Sequence, residues 1–362
     1  MIISELNILT IKMSRAINET NYQEVYFNSS RYFNTCWIKD GADREMWENG
    51  NTSFVYSQTE SIAVGIVVAV MSIAGTILNL PVIIALLRNK DLRNEYTTPT
   101  IVSIATTDLL HSAGSLPVAS LHFFTGDMPL TTCDVYNFLG YGLWICSAWN
   151  LLGVSILRCV VVYFPEKTKN SHFLTISKLM PILCWILSFL YIMLGLFGKF
   201  GQFGLECQTF ICRYFNIGED GHPTDVNLEN ILYVQFVSIG IMIFLLNVST
   251  CIRVSKQSRQ IYRQVQHINE DMARNILERE KQVGKLLSIM SVLFFAVYGP
   301  SAVLHKIDPD YRITMPGPSI VCYLINWSYG IIDPLCYMIF QEKYRKAISD
   351  LFKPSCACTL SS

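Results

Sequence analysis

The sequence predicts an all-α membrane protein, in which seven transmembrane helices form a bundle and an amphipathic helix follows near the C-terminus. Of its 362 residues, 51% are hydrophobic and only 15% are charged, whereas soluble domains contain about 25% charged residues. The apolar residues fall in seven long blocks, each close to the ~20 residues that a helix needs to cross a bilayer. The net charge is zero, so no nucleic-acid partner is expected.

The seven blocks are bounded by charged residues and contain few charges themselves. The first has no charge between Glu60 and Arg88, and Asp333 is the only charge of the seventh. Interior prolines occur at positions 117, 181, 300 and 334, and membrane bundles tolerate them because neighbouring helices satisfy the freed backbone groups. The predicted spans are residues 61–87, 97–122, 134–163, 179–198, 230–252, 286–305 and 317–340.

The polarity of the loops predicts how the bundle lies in the membrane. Residues 1–60 are polar and contain three acceptor motifs for N-glycosylation, which are used only on the lumenal or extracellular side. The loops of the opposite side carry about twice as many Lys and Arg residues, which favours the cytoplasm for that side. The tail is therefore predicted to be extracellular, glycosylated and disordered, with a cytoplasmic C-terminus and the protein in the plasma membrane. The acceptor asparagines are Asn18, Asn28 and Asn51.

Residues 341–353 combine an apolar stripe with a basic face, as in a helix that lies on the inner leaflet of a membrane. Membrane lipids are therefore expected partners. Cys356 and Cys358 follow and are candidates for palmitoylation; the alternative is two free thiols in a frayed tail. The chain thus divides into an N-terminal tail (1–60), a membrane domain (61–340) and a cytoplasmic amphipathic helix with its tail (341–362).

Two acidic residues, Asp108 and Asp333, lie deep in the predicted spans. A charge at the centre of a bilayer costs about 2.5–3.5 kcal/mol on insertion scales, so both are candidates for function. With Asn79 and Ser147 they could surround a sodium ion at Asp108, a proton or water molecules. The alternative is a water-bridged network that only fixes the packing of the helices. No other metal or cofactor is expected, because the 12 cysteines include no C-x-x-C pair.

Cys133 begins the third span on the predicted outer side, and Arg158 ends it. An arginine at the end of a span can simply extend to the lipid headgroups, or its rigid fork of donors can hold one helix packing and later bind a partner. The outer compartment is oxidising, so Cys133 is expected to form a disulfide with a cysteine of the next outer loop. That loop contains Cys207 and Cys212.

Taken together and in order, these residues resemble the rhodopsin-like (class A) G-protein-coupled receptors. The resemblance covers all seven spans, and the seventh ends in Asp333-Pro334-Leu335-Cys336-Tyr337, a form of the family's Asn/Asp-Pro-x-x-Tyr. Within the class, the chain is most similar to the melatonin-receptor, moody and trapped-in-endoderm group. The other matching positions are Gly75, Asn79, Asp108, Cys133, Arg158, Trp185, Pro300, Tyr344 and Arg345.

The resemblance implies a receptor that converts binding of an extracellular ligand into activation of a cytoplasmic heterotrimeric G protein. It also implies that Cys212 is the disulfide partner of Cys133, which leaves Cys207 for Cys36. The residues implied in the conformational switch and in G-protein coupling are Arg158, Tyr298, Pro300, Asp333, Pro334 and Tyr337.

The switch departs from the family pattern at three places. The family's Asp-Arg-Tyr reads Leu157-Arg158-Cys159, so the acid that normally restrains the arginine is missing. The usual tryptophan of the sixth span is Tyr298. The fifth span has neither the family's proline nor its inner tyrosine, so Tyr337 lacks its usual partner. These departures are compatible with high basal activity, weak coupling or a divergent switch.

The class of ligand can be narrowed by excluding two kinds of molecule. Gly140 stands where receptors for amines carry an aspartate, and the seventh span has no lysine that could bind retinal. The outer half of the bundle is rich in aromatic residues and poor in charge, which suits an apolar or lipid-like ligand. The alternative is that these aromatics are core residues or face lipid. The candidate pocket consists of Gly140, Tyr141, Trp144, Tyr298, Tyr323 and Trp327.

The rival class is a transporter or a proton- or ion-translocating seven-helix protein, since two carboxylates in a membrane can relay protons. The sequence has no internal repeat and no paired interrupted helices of the kind that transporters show. An enzyme is not expected, because no nucleophile–base set, H-E-x-x-H motif or phosphate-binding loop occurs.

Overall fold

The computed structural model consists of long helices packed side by side, together with one small sheet. The predicted glycosylation sites (Asn18, Asn28, Asn51), the palmitoylation candidates (Cys356, Cys358) and Cys207 lie outside the described residues and stay predictions. The structure describes residues 36–37, 56–125, 130–168, 171–196, 202–206, 212–215, 228–265, 270–308 and 314–353.

The helices follow the apolar blocks of the sequence. The first begins with a capping box, in which Ser57 and Glu60 each accept a hydrogen bond from the backbone N–H of the other. The helices are α1 (Gln58–Arg88), α2 (Lys90–Arg93), α3 (Thr98–Leu110), α4 (Leu116–Thr125), α5 (Leu130–Tyr163), α6 (Pro165–Thr168), α7 (Ser171–Leu196), α8 (Leu228–Val265), α9 (Glu270–Ile307), α10 (Pro316–Trp327), α11 (Tyr329–Phe340) and α12 (Glu342–Leu351).

Five helices of the described chain, α1, α5, α7, α8 and α9, are long and apolar enough to cross a membrane. The predicted second and seventh spans are present as apolar stretches, but each is interrupted. A π-helical turn, His111–Ser115, separates α3 from α4, and Ser328 separates α10 from α11. Neither stretch therefore contains a single unbroken helix of spanning length.

Pro117 explains the break between α3 and α4. In a π-helical turn, the N–H of residue i+5 donates to the carbonyl of residue i, as Leu116 does to His111. The next donor in that pattern would be Pro117, which has no N–H. The hydroxyl of Ser72 on α1 takes its place and donates to the carbonyl oxygen of Ser112 at 2.7 Å. A contact between helices thus replaces a bond within one helix.

The outward face of the bundle is apolar. On α1, Val70, Ile73 and Ile77 are each at least 60% exposed. Residues spaced three and four apart share one face of a helix, so these side chains form one continuous apolar strip. An exposed apolar face of this length suits hydrocarbon rather than water.

The sheet packs against α5 and α7. Strand β2 (Gln202–Glu206) pairs antiparallel with β3 (Cys212–Phe215), and β1 (Cys36–Trp37) runs parallel to β2. A segment of the N-terminal tail is therefore hydrogen-bonded to the loop between α7 and α8. The apolar pattern did not predict this sheet, because its strands are too short to show the alternation that marks longer strands.

The predicted amphipathic helix is present as α12. Tyr344 and Ala347 on its apolar side are buried in a cluster with Leu92 of α2. On its polar side, Lys343 forms a salt bridge with Glu95. The helix is thus held against the Arg88 end of α1 by burial of apolar side chains, with one exposed ion pair at its rim.

Candidate functional site

Asn79 connects α1 to α11 inside the bundle. It is fully buried, and its Nδ2 donates to the carbonyl oxygens of Gly75 at 2.9 Å and Gly330 at 2.6 Å. The Gly330 carbonyl precedes Pro334 by four residues, so it lacks the helical N–H that any other residue at 334 would supply. Asn79 satisfies this acceptor. Its amide nitrogen therefore serves the backbone, whereas its amide oxygen is buried without a hydrogen-bond donor in the described chain, like the other oxygens of the predicted polar cluster.

Asp108 and Asp333 lie close enough to interact electrostatically, and their exposed fractions are 0% and 6%. Both oxygens of Asp108 and one of Asp333 are buried without a hydrogen-bond donor in the described chain. The hydroxyl group of Ser147 is also buried without a hydrogen-bond partner in the described chain. Buried oxygens of this kind need a cation, a proton or water to offset the loss of solvation. The donor set thus fits a small cation such as sodium.

A stacked pair of rings, which the sequence did not predict, borders the two carboxylates. The imidazole of His111 lies on the ring of Tyr329, with centroids 4.8 Å apart. The ring nitrogens of His111 and the hydroxyl of Tyr329 are buried without hydrogen-bond partners in the described chain. Tyr329 interacts electrostatically with Asp108 and Asp333. The only sequence signal was a histidine within an apolar span.

The aromatic residues of the predicted pocket fall into two groups. Trp144 stacks on Phe236 with centroids 3.7 Å apart and lies 5.4 Å from Tyr298. Tyr323 and Trp327 contact each other at 5.8 Å, and Trp327 packs on the apolar cluster between α1 and α4. The structure therefore brings Trp144 and Tyr298 together and places Trp327 in a different part of the core.

Gly140 and Tyr141 lie on α5, one turn before Trp144. A Cβ atom added at Gly140 would meet nothing within 4 Å. The ring of Tyr141 lies 6.2 Å from that of Trp144. Open space beside a half-buried glycine next to aromatic rings is compatible with the predicted ligand pocket.

Cys133, near the start of α5, is bonded to Cys212 of β3. The bridge is buried and packs against Val118 and Tyr136. It ties the sheet to the first turns of α5 and thereby defines one end of the bundle, called here the Cys133 end. The structure thus contains the pairing that the family resemblance implied.

Arg158 lies at the opposite end of α5, called here the Arg158 end, beside a small cavity. Helices α5, α8, α9 and α11 contribute its wall. Among the described residues, Arg158 is the only charged residue of this wall. The lining residues are Leu151, Val154, Ser155, Arg158, Ile243, Asn247, Met290, Phe294 and Tyr337.

Three tyrosines interact electrostatically with Arg158. They are Tyr337 on α11, Tyr344 on α12 and Tyr96 in the connection before α3. Burial raises the pKa of Tyr96, and the positive charge of Arg158 offsets part of that rise. Within the described chain, no carboxylate forms an ion pair with Arg158. Phenol groups therefore lie within electrostatic range of the arginine, whose neighbour at position 157 is leucine rather than the family's acid.

Asn247 is a polar residue of the cavity wall that the sequence did not single out. Its Nδ2 donates to the hydroxyl of Ser291 at 2.9 Å and so joins α8 to α9. Beside Tyr337, the cavity wall therefore carries an amide from α8. A single asparagine in an apolar span forms no pattern, so its position in the wall could be found only in the structure.

The remaining switch candidates lie along α9 and α11. Tyr298 belongs to the aromatic group around Trp144, and Pro300 follows it within α9. Pro334 lies in α11, where it frees the Gly330 carbonyl. Pro300 thus interrupts the hydrogen bonding of α9, and Pro334 that of α11. Both helices line the Arg158 cavity, α9 through Phe294 and α11 through Tyr337.

The overall fold defines the class of protein. The chain superposes on the crystal structure of squid rhodopsin with a TM-score of 0.70 at 20% sequence identity, covering 88% of this chain and 90% of that one. The molecule is therefore a helical membrane protein with the fold of rhodopsin.

Residues 78–337 match the family described as 7 transmembrane receptor (rhodopsin family). The match covers well over half of the chain, so the chain belongs to this family of G-protein-coupled receptors. Members of the family are receptors rather than enzymes. The family confirms the predicted receptor class and disfavours the rival transporter class.

Two relatives illustrate the range of similarity. Protein trapped in endoderm-1 of Drosophila melanogaster is 22% identical over 333 residues, which cover 86% of this chain and 83% of that protein. "Rhodopsin, GQ-coupled" of Mizuhopecten yessoensis is 24% identical over 302 residues, which cover 79% of this chain. The chain matches only 58% of the length of that second protein. The first relative agrees with the group that the sequence motifs indicated.

Proposed function

We propose that this receptor lies in the plasma membrane, binds an extracellular ligand at the Cys133 end and activates a heterotrimeric G protein at the Arg158 end. The cavity beside Arg158 carries the proposal, because α5, α8, α9 and α11 line it and the first three of these helices are each long enough to cross the membrane. Helix α5 joins the two ends, and 25 residues of helix span about 37 Å. A change in helix packing at one end can therefore alter the cavity at the other.

The proposed topology has seven crossings, with the N-terminus outside. The segments α3–α4 and α10–α11 would cross as interrupted helices. A bilayer core tolerates such breaks only where the freed backbone groups are satisfied within the protein. Ser72 and Asn79 supply those donors. The excess of Lys and Arg in the loops of the Arg158 end favours the cytoplasm for that end.

Helix α12 would lie along the inner leaflet. Its apolar side chains are occupied by packing on the bundle, whereas Lys343, Arg345 and Lys346 are exposed. Basic residues at this level attract anionic headgroups by about 1 kcal/mol each. Membrane lipids are therefore proposed partners of this helix.

Signalling would be a shift between two helix arrangements. A ligand that binds one arrangement better increases its population, and the G protein recognises the altered cavity. Pro300 and Pro334 give α9 and α11 the local breaks at which their Arg158-side halves can move. Tyr298 lies on α9 and contacts Trp144 and Phe294. A ligand that moves Trp144 would therefore shift α9 through Tyr298.

The proposed ligand is apolar or lipid-like. The aromatic group around Trp144 offers ring surface, and Gly140 offers open space beside it. An amine has no carboxylate to bind at Gly140. Retinal has no lysine to bind between Pro316 and Phe340, so the similarity to opsins does not extend to their pigment.

The carboxylates Asp108 and Asp333 would hold a sodium ion, with Ser147 as a further oxygen donor. Bound between two buried acids, a cation would stabilise the arrangement in which they lie close together. A shared proton or ordered water is the alternative for the same oxygens. The ion is proposed as a ligand of the resting receptor and takes no part in chemical catalysis.

The test is nucleotide exchange by purified heterotrimers, with full-length receptor in lipid nanodiscs. Arg158→Ala should abolish exchange while leaving surface expression unchanged, because Arg158 borders the cavity without supporting the fold through an ion pair. Arg259→Ala removes an exposed arginine of α8 and should preserve exchange.

Equal exchange by the parent receptor and Arg158→Ala would contradict the proposed role of the cavity. The same preparations in liposomes should show no proton or sodium flux. Ion flux that disappears in Asp108→Asn, without nucleotide exchange in the parent protein, would favour the transporter class instead.

A further inference from the structure

Tyr163, the last residue of α5, contacts α8 through its hydroxyl group. The hydroxyl oxygens of Tyr163 and Ser249 lie 2.8 Å apart. The Tyr163 hydroxyl also lies 3.3 Å from the carbonyl oxygen of Ser249, to which it can donate. A single side chain at the end of α5 is therefore bound to both the side chain and the backbone of α8.

Two more residues of α8 extend this contact. The guanidinium of Arg253 lies 5.6 Å from the centroid of the Tyr163 ring, within the range of a cation–π interaction. Gln257 reaches the carbonyl oxygen of Val162 at 3.5 Å. Ser249, Arg253 and Gln257 are spaced four residues apart, so they form one stripe along α8. The whole stripe faces the last turn of α5.

The stripe lies just beyond Arg158 in the chain. Position 157 is leucine, and within the described residues no carboxylate is paired with Arg158. No ion pair of Arg158 within the described residues therefore fixes this end of α5 to its neighbours. The polar contacts that fix α5 to α8 at this end come instead from the Tyr163 side chain and the Val162 carbonyl.

We propose that Tyr163, Ser249 and Arg253 form a clasp that holds α5 and α8 together in the unliganded receptor and limits basal signalling. Both helices contribute to the wall of the Arg158 cavity. When the clasp opens, the ends of α5 and α8 separate and the cavity becomes accessible to a partner. The gating role rests on the proposed function, whereas the clasp itself can be tested without a G protein.

The clasp should limit helix opening by a measurable factor. A net hydrogen bond changes an equilibrium by about two- to tenfold. Tyr163→Phe keeps the ring and removes the hydroxyl with both of its contacts, whereas Ser249→Ala removes only the bond between the two hydroxyls. The double variant should open no more than Tyr163→Phe alone, because Ser249→Ala removes part of the same interaction. Arg253→Gln removes the charge above the ring.

The experiment is amide hydrogen exchange of the full-length receptor in nanodiscs, followed at residues 158–163 and 249–257. We expect exchange in both segments to be about two- to tenfold faster in Tyr163→Phe, Ser249→Ala and Arg253→Gln. Arg259→Gln changes an exposed arginine of the same helix and is the matched control. Ligand-independent nucleotide exchange by a purified heterotrimer should rise by a similar factor in the three clasp variants.

Hydrogen exchange equal to that of the parent in all three clasp variants would overturn the proposal. So would an equal increase in Arg259→Gln, since the effect would not belong to the clasp. Faster hydrogen exchange with unchanged basal nucleotide exchange, in a receptor that does activate the G protein, would refute the gating role. A parent receptor without any nucleotide exchange would count against the proposed function, and hydrogen exchange would still decide whether the clasp exists.

Discussion

Gly75 on α1 and Ser112 in the π-helical turn approach each other so closely that no side chain fits between them. A Cβ atom added to Gly75 would lie 2.1 Å from the Ser112 hydroxyl oxygen and 3.4 Å from the Gly330 carbonyl oxygen. Three chain segments therefore meet at one point, where Asn79 and Ser72 donate to backbone carbonyls. The close approach makes those hydrogen bonds between helices short enough to form.

Gly75→Ala should destabilise the receptor because the Ser112 side chain or the helix backbone must move to make room. Overpacking of a tight core costs about 1–3 kcal/mol, which should lower the thermal midpoint in detergent. Gly114→Ala is the matched control, since a Cβ there meets nothing within 4 Å. If both variants unfold at the same temperature as the parent, the close approach does not matter for stability.

Cys133→Ser should reduce the amount of folded receptor at the cell surface. The bridge to Cys212 closes a loop of 79 residues, and loss of a native disulfide typically costs about 2–5 kcal/mol. Cys159→Ser changes a half-buried free thiol on the same helix and should be close to neutral. Surface labelling of an N-terminal tag measures the amount of each variant at the cell surface. Normal surface levels of Cys133→Ser would show that the fold does not need the bridge.

Tyr344→Ala should release α12 from the bundle, whereas Lys343→Ala should leave it in place. The Tyr344 side chain is buried, and removing a buried aromatic ring costs about 3–5 kcal/mol. Lys343 is exposed and Glu95 is partly exposed, and such surface pairs contribute about 0–1 kcal/mol. Hydrogen exchange of residues 342–351 reports detachment. The reverse order of the two effects would mean that the ion pair, rather than burial, holds the helix.

Asp108→Asn should remove a stabilising effect of sodium. Sodium at ten times its Kd would add about 1.4 kcal/mol to the stability of the folded receptor, so the thermal midpoint should be higher in sodium chloride than in potassium chloride. The difference should vanish in Asp108→Asn and persist in Asp350→Asn, which changes an acid on the surface of α12. If the parent receptor has the same thermal midpoint in both salts, the two carboxylates bind a proton or water rather than sodium.

The apolar blocks predicted the location of the helices well, because hydrocarbon admits few other structures for such blocks. The predicted 61–87 became Gln58–Arg88 and the predicted 134–163 became Leu130–Tyr163. The prolines at 117 and 334 were visible in the sequence, but the donors that compensate for them were not. Ser72 and Asn79 are distant from those prolines in the chain, and only helix packing brings them together.

The neighbours of the predicted site residues could not be derived from the sequence. Arg158 was found by its place at the end of the third span and by the family resemblance, but the three tyrosines near it come from α11, α12 and a short connection. The stack of His111 on Tyr329 joins the π-helical turn to α11. Such contacts depend on helix rotation and register, which hydropathy does not report.

By itself, the sequence determined that the chain crosses a membrane as apolar helices, that an amphipathic helix follows them, and which family motifs they carry. Each of these properties is local, since it depends on hydropathy or on spacing within one segment. The tertiary structure alone decided which polar groups meet: Asn79 with Gly330, Ser72 with Ser112, and Tyr163 with Ser249. These contacts form between helices whose backbones approach closely, and the approach is set by packing across the whole bundle rather than by any one segment.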